Sequence, residues 1–230
     1  MIKACIFDLD GTLTDTVESI ARGVNLTLEH FGYSPRPVRE YNFYAGDGID
    51  MAWKRALAAA GDAGLLHFQE GLPLCRKWFG ENSLYHVKAY PHIPEAVEKL
   101  RRMEVKTAVF SNKPHEAAVR VVETIFGRGS FDWIQGQTAE IPKKPDPTGV
   151  FKIMERFRVR PEECLYFGDT NTDMATGHGA GIFTVGVAWG FRPKSELQAS
   201  GADRIIDDPE EITQVYREMS HETQNQTDCQ

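Results

Sequence analysis

Asp8 and Asp10 close a short apolar run and are followed at once by Gly11 and Thr12. Residues two apart on a strand share a face, so the two carboxylates would be aimed one way. Such a like-charge pair is costly unless a cation sits beside it, and Gly11 would let the backbone approach a ligand closely. The plainer alternative is an Asx turn, and for an isolated Asp-x-Asp it would prevail. A second acidic group, Gly168-Asp169-Thr170-Asn171-Thr172-Asp173, ends another apolar run, with Asp169 and Asp173 one helical turn apart on a shared face. Here the alternative is that Asp169 only caps the helix. Ser111 and Asn112 follow a third run just before a helix predicted from Pro114, where a hydroxyl and free N–H groups suit a phosphate; the alternative is again a cap. Lys143-Lys144-Pro145-Asp146-Pro147 sets cations in a rigid loop, and a solvated charge pair is the bland reading. Each signal is weak alone. Together, Asp8, Asp10, Asp169, Asp173, a lysine and small donors describe a divalent-metal phosphate site. With no Cys or His converging, the donors suit a hard cation such as Mg²⁺ better than zinc.

These residues need elements that bring them to one place. Ile2 to Phe7 reads as a buried strand, and strands follow at 106–110, 131–134, 164–167, 182–187 and 203–206. Helical patterns alternate with them at 114–125, 147–157, 173–180 and 209–219. That alternation implies parallel crossovers, and the open α/β sheet it predicts binds ligands at the carboxyl ends of its strands. Between the first strand and the rest, residues 16–83 read as helices only, with Thr16 as a candidate cap and Gly46-Asp47-Gly48 as a turn opening a helix. A lone first strand would leave its backbone groups unpaired, so it should join the later sheet, with the helical block as an insertion. The predicted fold class is α/β: a doubly wound, Rossmann-like parallel sheet core of residues 1–15 and 84–220, an inserted all-helical cap of 16–83, and a flexible tail of 221–230.

Charge and cysteine usage narrow the function further. The 230 residues carry 26 Lys and Arg against 33 Asp and Glu, a net charge of −7 that makes a poor general binder of nucleic acid or anionic lipid. A local basic pocket for a small anion is still compatible with it. Cys5, Cys75, Cys164 and Cys229 form no CxxC pair and no disulfide framework. No leader pattern and no run of about 18 apolar residues is visible, so a cytoplasmic protein with no membrane partner is expected. Monomer and homodimer are both compatible with the sequence.

Asp8-Leu9-Asp10-Gly11-Thr12-Leu13-Thr14-Asp15 resembles the first motif, DxDGTxxD, of the haloacid dehalogenase superfamily phosphatases. Ser111-Asn112 resembles the second motif, Lys144-Pro145 the third, and Gly168-Asp169 through Asp173 the fourth, in matching order and spacing. The likeness spans about Met1 to Met219. Within that superfamily, Tyr90-Pro91, Ser111-Asn112-Lys113-Pro114, Lys144-Pro145-Asp146-Pro147, Trp189-Gly190-Phe191 and Gly201-Ala202-Asp203 are similar to segments of the phosphoglycolate phosphatase family. Gly177-His178-Gly179 departs from it, because that family usually has helix-favouring Ala there and each Gly costs about 1 kcal/mol.

The resemblance implies a Mg²⁺-dependent phosphatase acting on a small phosphorylated metabolite, most simply 2-phosphoglycolate. Asp8 would be the nucleophile, forming an aspartyl phosphate, and Asp10 the acid and base. The metal would be held by Asp8, Asp10 (through its carbonyl) and Asp169, with Asp173 behind them. Lys144, Ser111 and the N–H groups of Gly11 and Asn112 would hold the phosphoryl oxygens. Gly46, Asp47, Gly48 and Arg55 in the cap would read a carboxylated leaving group, or alternatively only form a turn beside a solvated arginine. A sugar-phosphate phosphatase or mutase and a pyrophosphatase share all these motifs. A dehalogenase, or a phosphonatase using Lys54, fits Asp10 poorly. A non-catalytic binding module would have lost Asp8, Asp10 or Lys144.

Overall fold

The computed structural model describes the backbone of residues 1–227 and the side chains of residues 1–221. The first strand, β1 (Ala4–Phe7), is wholly buried and pairs in parallel on both sides. After it come the two-residue β2 (Thr14–Asp15) and four helices, α1 (Val17–His30), α2 (Tyr41–Tyr44), α3 (Ile49–Ala59) and α4 (Phe68–Glu81). The chain then re-enters through β3 (Lys88–Ala89) and α5 (Ile93–Arg102). From there it alternates: β4 (Lys106–Pro114), α6 (His115–Phe126), β5 (Trp133–Gln137), α7 (Thr148–Phe157), β6 (Cys164–Gly168), α8 (Asn171–Gly179), β7 (Phe183–Val187), α9 (Lys194–Ala199), β8 (Arg204–Ile206) and α10 (Glu211–Thr227).

Six strands form one parallel sheet in the order β5-β4-β1-β6-β7-β8. The first strand therefore sits inside the sheet, with Phe7 opposite Val109 on one side and Phe167 on the other. Strand alternation sends Cys5, Phe7, Leu165 and Val185 to one face, where they meet α5, α6 and α10. Ala4, Ile6, Phe110 and Tyr166 go to the other face, against α7 and the end of α8. Both faces are covered, as a parallel sheet requires. Helices α1 to α4 bury a separate cluster of Ile20, Val24, Leu28, Trp53, Leu57 and Phe79, each such side chain contributing about 1.5–3 kcal/mol. Phe191, from the loop after β7, joins that cluster and so ties the insert to the sheet side.

Several local expectations need correcting. Strands β2 and β3 were not anticipated; they pair antiparallel, joining the points where the chain enters and leaves the insert. Helix α9 is also additional to the predicted set. Thr16 does precede α1, but its hydroxyl makes no capping bond and is buried without a partner. The fifth strand begins at Trp133, while Phe131 packs into the core before it. The predicted flexible tail is helical through Thr227, and only residues 228–230, Cys229 among them, lie outside the described backbone. The other three cysteines are buried and free.

Candidate active site

Asp8 lies one residue beyond β1, where its N–H still bonds the Phe167 carbonyl at 2.9 Å. Asp169 lies one residue beyond β6, a step further along than Asp8, since β1 and β6 pair with Phe7 opposite Phe167. Both carboxylates thus reach the carboxyl edge of the sheet. Thr170 then caps α8: its hydroxyl accepts the Asp173 N–H at 3.3 Å and donates to Asp173 Oδ2 at 2.6 Å. Because Thr170 does the capping, Asp169 is free of that duty, contrary to the plain reading of the segment. Asp8, Asp169 and Asp173 are all buried, with carboxylate oxygens within 4.8 Å of one another.

Lys144 is buried among them, with Nζ 2.7 Å from Asp8 Oδ1 and 2.7 Å from Asp173 Oδ1. Tyr166 adds a donor to Asp173 at 3.2 Å. Asp169 accepts from the Thr12 hydroxyl at 3.0 Å and from the Phe191 N–H at 2.8 Å. Burial is the largest influence on Asp8 and holds its carboxyl well above the usual range, with Lys144 opposing and Asp173 and Asp169 adding to the rise. Asp169 is pushed up to about 7 by burial and then by Asp173. Lys144 is raised well above its ordinary value, because Asp173 and Asp8 outweigh its burial. Three buried carboxylates face one buried ammonium. That donor set, all oxygen and in excess negative charge, fits a hard divalent cation.

The remaining predicted residues divide into those that reach the cleft and those that do not. Asp8, Asp10, Ser111, Asn112, Gly46 and Gly48 line one cleft between sheet and insert. Asp10 stands apart from the buried acid cluster, its Oδ1 2.8 Å from Lys113 Nζ. Gly11 contributes differently from the expectation. Its N–H donates to the Thr14 carbonyl at 2.9 Å and is occupied by the turn. Its missing side chain is what matters, since a Cβ there would lie 2.2 Å from Asp169 Oδ2. Ser111 and Asn112 are not at a helix start either: β4 continues through them to Pro114 with a register shift against β5. Ser111 Oγ accepts the Lys113 N–H at 3.2 Å, which leaves the hydroxyl proton to donate. The Asn112 side chain is a brace: Oδ1 accepts the Lys144 N–H at 2.7 Å, and Nδ2 donates to the Gly46 carbonyl at 3.1 Å.

In the insert, Gly46 and Gly48 take φ of +105° and +85°, which explains glycine at both positions. Asp47 and Arg55 turn away from the cleft. Arg55 pairs with Asp47 and donates to the Tyr44 carbonyl, and Asp47 accepts from Thr172 at 2.7 Å across the seam. The position of Arg55 gives no support to its reading a substrate carboxylate; it anchors Asp47. Lys113, Thr12, Tyr166, Thr170 and Phe191 had been assigned no role. The Lys113–Asp10 contact joins residues 103 apart in sequence, so no local pattern could have signalled it.

Comparison with known proteins adds a family. The model of the haloacid dehalogenase-like hydrolases matches residues 5–187. A phosphoglycolate phosphatase of Aquifex aeolicus is 33% identical over 190 residues, covering 83% of this chain and 86% of that one. Another, from Pseudomonas putida, is 29% identical and covers 90% of this chain and 76% of its own. A solved structure from Lactobacillus delbrueckii subsp. bulgaricus superposes with a TM-score of 0.85 at 30% identity, over 91% of this chain and 96% of that one.

Proposed function

The chain belongs to the haloacid dehalogenase-like hydrolases, and from that premise we propose that it is a Mg²⁺-dependent phosphatase of small phosphate monoesters, 2-phosphoglycolate first among them, acting in the cytoplasm. The observation that carries the reading is the pairing of Asp8 and Asp10 in one cleft, with Lys144 fastened to Asp8 and to Asp173 behind it. The names of the Aquifex and Pseudomonas relatives support the choice of substrate.

Asp8 is the nucleophile, with Lys144 held at its Oδ1. The Asp8 carboxylate forms a bond to phosphorus while the ester P–O bond breaks, and Asp10 gives its proton to the departing alkoxide. Water then attacks the phosphorus of the aspartyl phosphate. Asp10 takes the proton of that water, and Asp8 leaves as a free carboxylate. Ser111 donates to a phosphoryl oxygen from the edge of the sheet, and Lys144 supplies positive charge beside Asp8. Asp8, the Asp10 carbonyl and Asp169 would hold Mg²⁺, with Asp173 keeping Lys144 in place. Bound there, the ion would offset the repulsion between a carboxylate nucleophile and an anionic ester. Residues 16–83 form the closing unit and residues 1–15 with 84–220 the catalytic body, so that closure excludes bulk water.

The test is a screen of 2-phosphoglycolate, sugar phosphates and pyrophosphate with and without Mg²⁺, alongside Asp8→Asn. Turnover should require the metal and vanish in a folded Asp8→Asn protein. Chelator-resistant activity, or an Asp8→Asn enzyme with near wild-type kcat, would overturn the mechanism.

A further inference from the structure

We propose that Lys113 is the residue that selects the leaving group, by pairing with a carboxylate on the carbon next to the phosphorylated oxygen; this rests on the phosphatase reading above and deepens it. Of the described residues that line the cleft, Lys113 is the one cation. Its side chain is 0% exposed, although it borders the cleft. Nζ lies 2.8 Å from Asp10 Oδ1 and 4.6 Å from the ring centre of Phe79, which the insert contributes. An ammonium carries three donors. Asp10 takes one and the ring face screens another side, which leaves capacity for an anion entering the cleft.

The other walls sharpen the selection. Ile20, Ala45, Ile49, Ala52 and Phe79 are apolar and face the leaving-group side from the insert. In such surroundings a charge pair is stronger than in water, and a long polar chain finds no partners. Position sets the spacing. Asp10 must touch the ester oxygen to protonate it, and Lys113 is already in hydrogen-bond contact with Asp10. A substrate anion reaching Lys113 must therefore sit close to that oxygen, as the acid function of a short phosphorylated 2-hydroxy acid does. Arg55 is held away from the cleft by Asp47 and Tyr44.

The competing account is that Lys113 only holds Asp10 in place. The two separate in the ratio of kcat/KM for 2-phosphoglycolate and for 2-hydroxyethyl phosphate, which has the same chain length and no carboxylate. Wild type should prefer the acid. In Lys113→Met that preference should fall about ten- to a hundredfold, the worth of a charge-assisted hydrogen bond, with most of the change in KM. Lys113→Arg should keep part of it, and Lys113→Gln serves the same comparison if the Met variant does not fold. Equal loss on both esters, seen as a drop in kcat at constant ratio, would overturn the proposal in favour of a positioning role. So would a wild-type enzyme indifferent to the carboxylate. A wild type that hydrolyses no monoester would overturn the phosphatase reading, and this inference with it, before Lys113 is touched.

Discussion

Asp169 is buried beside two other carboxylates, and its carboxyl is pushed up to about 7 by burial first and Asp173 second. In an unfolded chain an aspartate titrates near ~3.9. Between those limits the folded protein holds the proton more tightly than the unfolded chain does, so stability falls as pH rises through that window. Asp8 shifts in the same direction. Other shifted groups act in other pH windows. Glu163, lowered to about 2 chiefly by Lys3, contributes stability that is lost only as pH falls from the ordinary carboxylate range towards that value. Lys144, raised by its carboxylate partners, keeps its contribution until pH rises through the alkaline range. The interval from about pH 5 to 7 lies above the window of Glu163 and below that of Lys144. In a chelator, thermal unfolding followed by circular dichroism should show stability declining across it by an amount on the order of 1–3 kcal/mol, since one pH unit of linkage carries about 1.4 kcal/mol per proton. Mg²⁺ favours the ionised forms and should flatten the decline, and Asp169→Asn should make it shallower. A chelated wild type equally stable at both ends would contradict this account of the site.

Helix α8 shows how an element can carry a sequence oddity without harm to its function. Gly177 and Gly179 weaken it on propensity alone, by about 1 kcal/mol each. Yet a Cβ on Gly177 would lie 2.1 Å from Thr184 Oγ1 on β7, so close packing of helix on sheet requires glycine there. At Gly179 the nearest atom to such a Cβ is Pro147 Cγ at 3.5 Å, an ordinary contact. The two alanine substitutions should then differ in sign. Gly177→Ala should destabilise by about 1–3 kcal/mol through overpacking, and Gly179→Ala should be neutral or stabilise by up to about 1 kcal/mol. Urea midpoints at constant m-value measure both, and a stable Gly177→Ala would contradict the packing argument. The same contrast marks what could be read beforehand. The central strands were legible because Ile6, Phe7, Val109, Phe110 and Phe167 form apolar runs ending in chemistry-bearing residues. The β2–β3 pair is too short to have a period, and the extension of β4 through Ser111 to Pro114 depends on a register shift against β5. Asp8, Lys144 and Asp169 were legible as types at strand ends. Lys113, Tyr166 and Phe191 were not, because each acquires its role from a partner on another element.

At the scale of the molecule, sheet and insert meet along one seam, and the loop 45–48 is fastened to it from several directions. Asn112 donates to the Gly46 carbonyl, Arg192 to the Ala45 carbonyl at 2.8 Å, and Thr172 to Asp47, while Lys143 pairs with Asp50 at 3.3 Å. Asp47 is central. Thr172 and Arg55 outweigh its partial burial and hold its carboxyl below the ordinary range. Thr172 lies on α8, directly beside Asp173, so the contact that holds the insert down grows from the helix that orders the buried acids. Removing it should loosen the insert without unfolding the sheet. Thr172→Val should change global stability by about 1 kcal/mol or less, the net worth of one hydrogen bond. Amides of α3 should nevertheless exchange faster with solvent than in wild type, while those of β1 and β6 remain unchanged. Arg55→Ala acts on the same carboxylate from the other side, so it should lower kcat/KM for 2-phosphoglycolate and 2-hydroxyethyl phosphate alike, and the double variant should lose less than the sum of the single losses. Hydrogen exchange and steady-state rates on the three proteins measure this. Strict additivity, or an Arg55→Ala loss confined to the carboxylated ester, would show that the two residues do not meet through Asp47 and would return the reading of the leaving group to the insert.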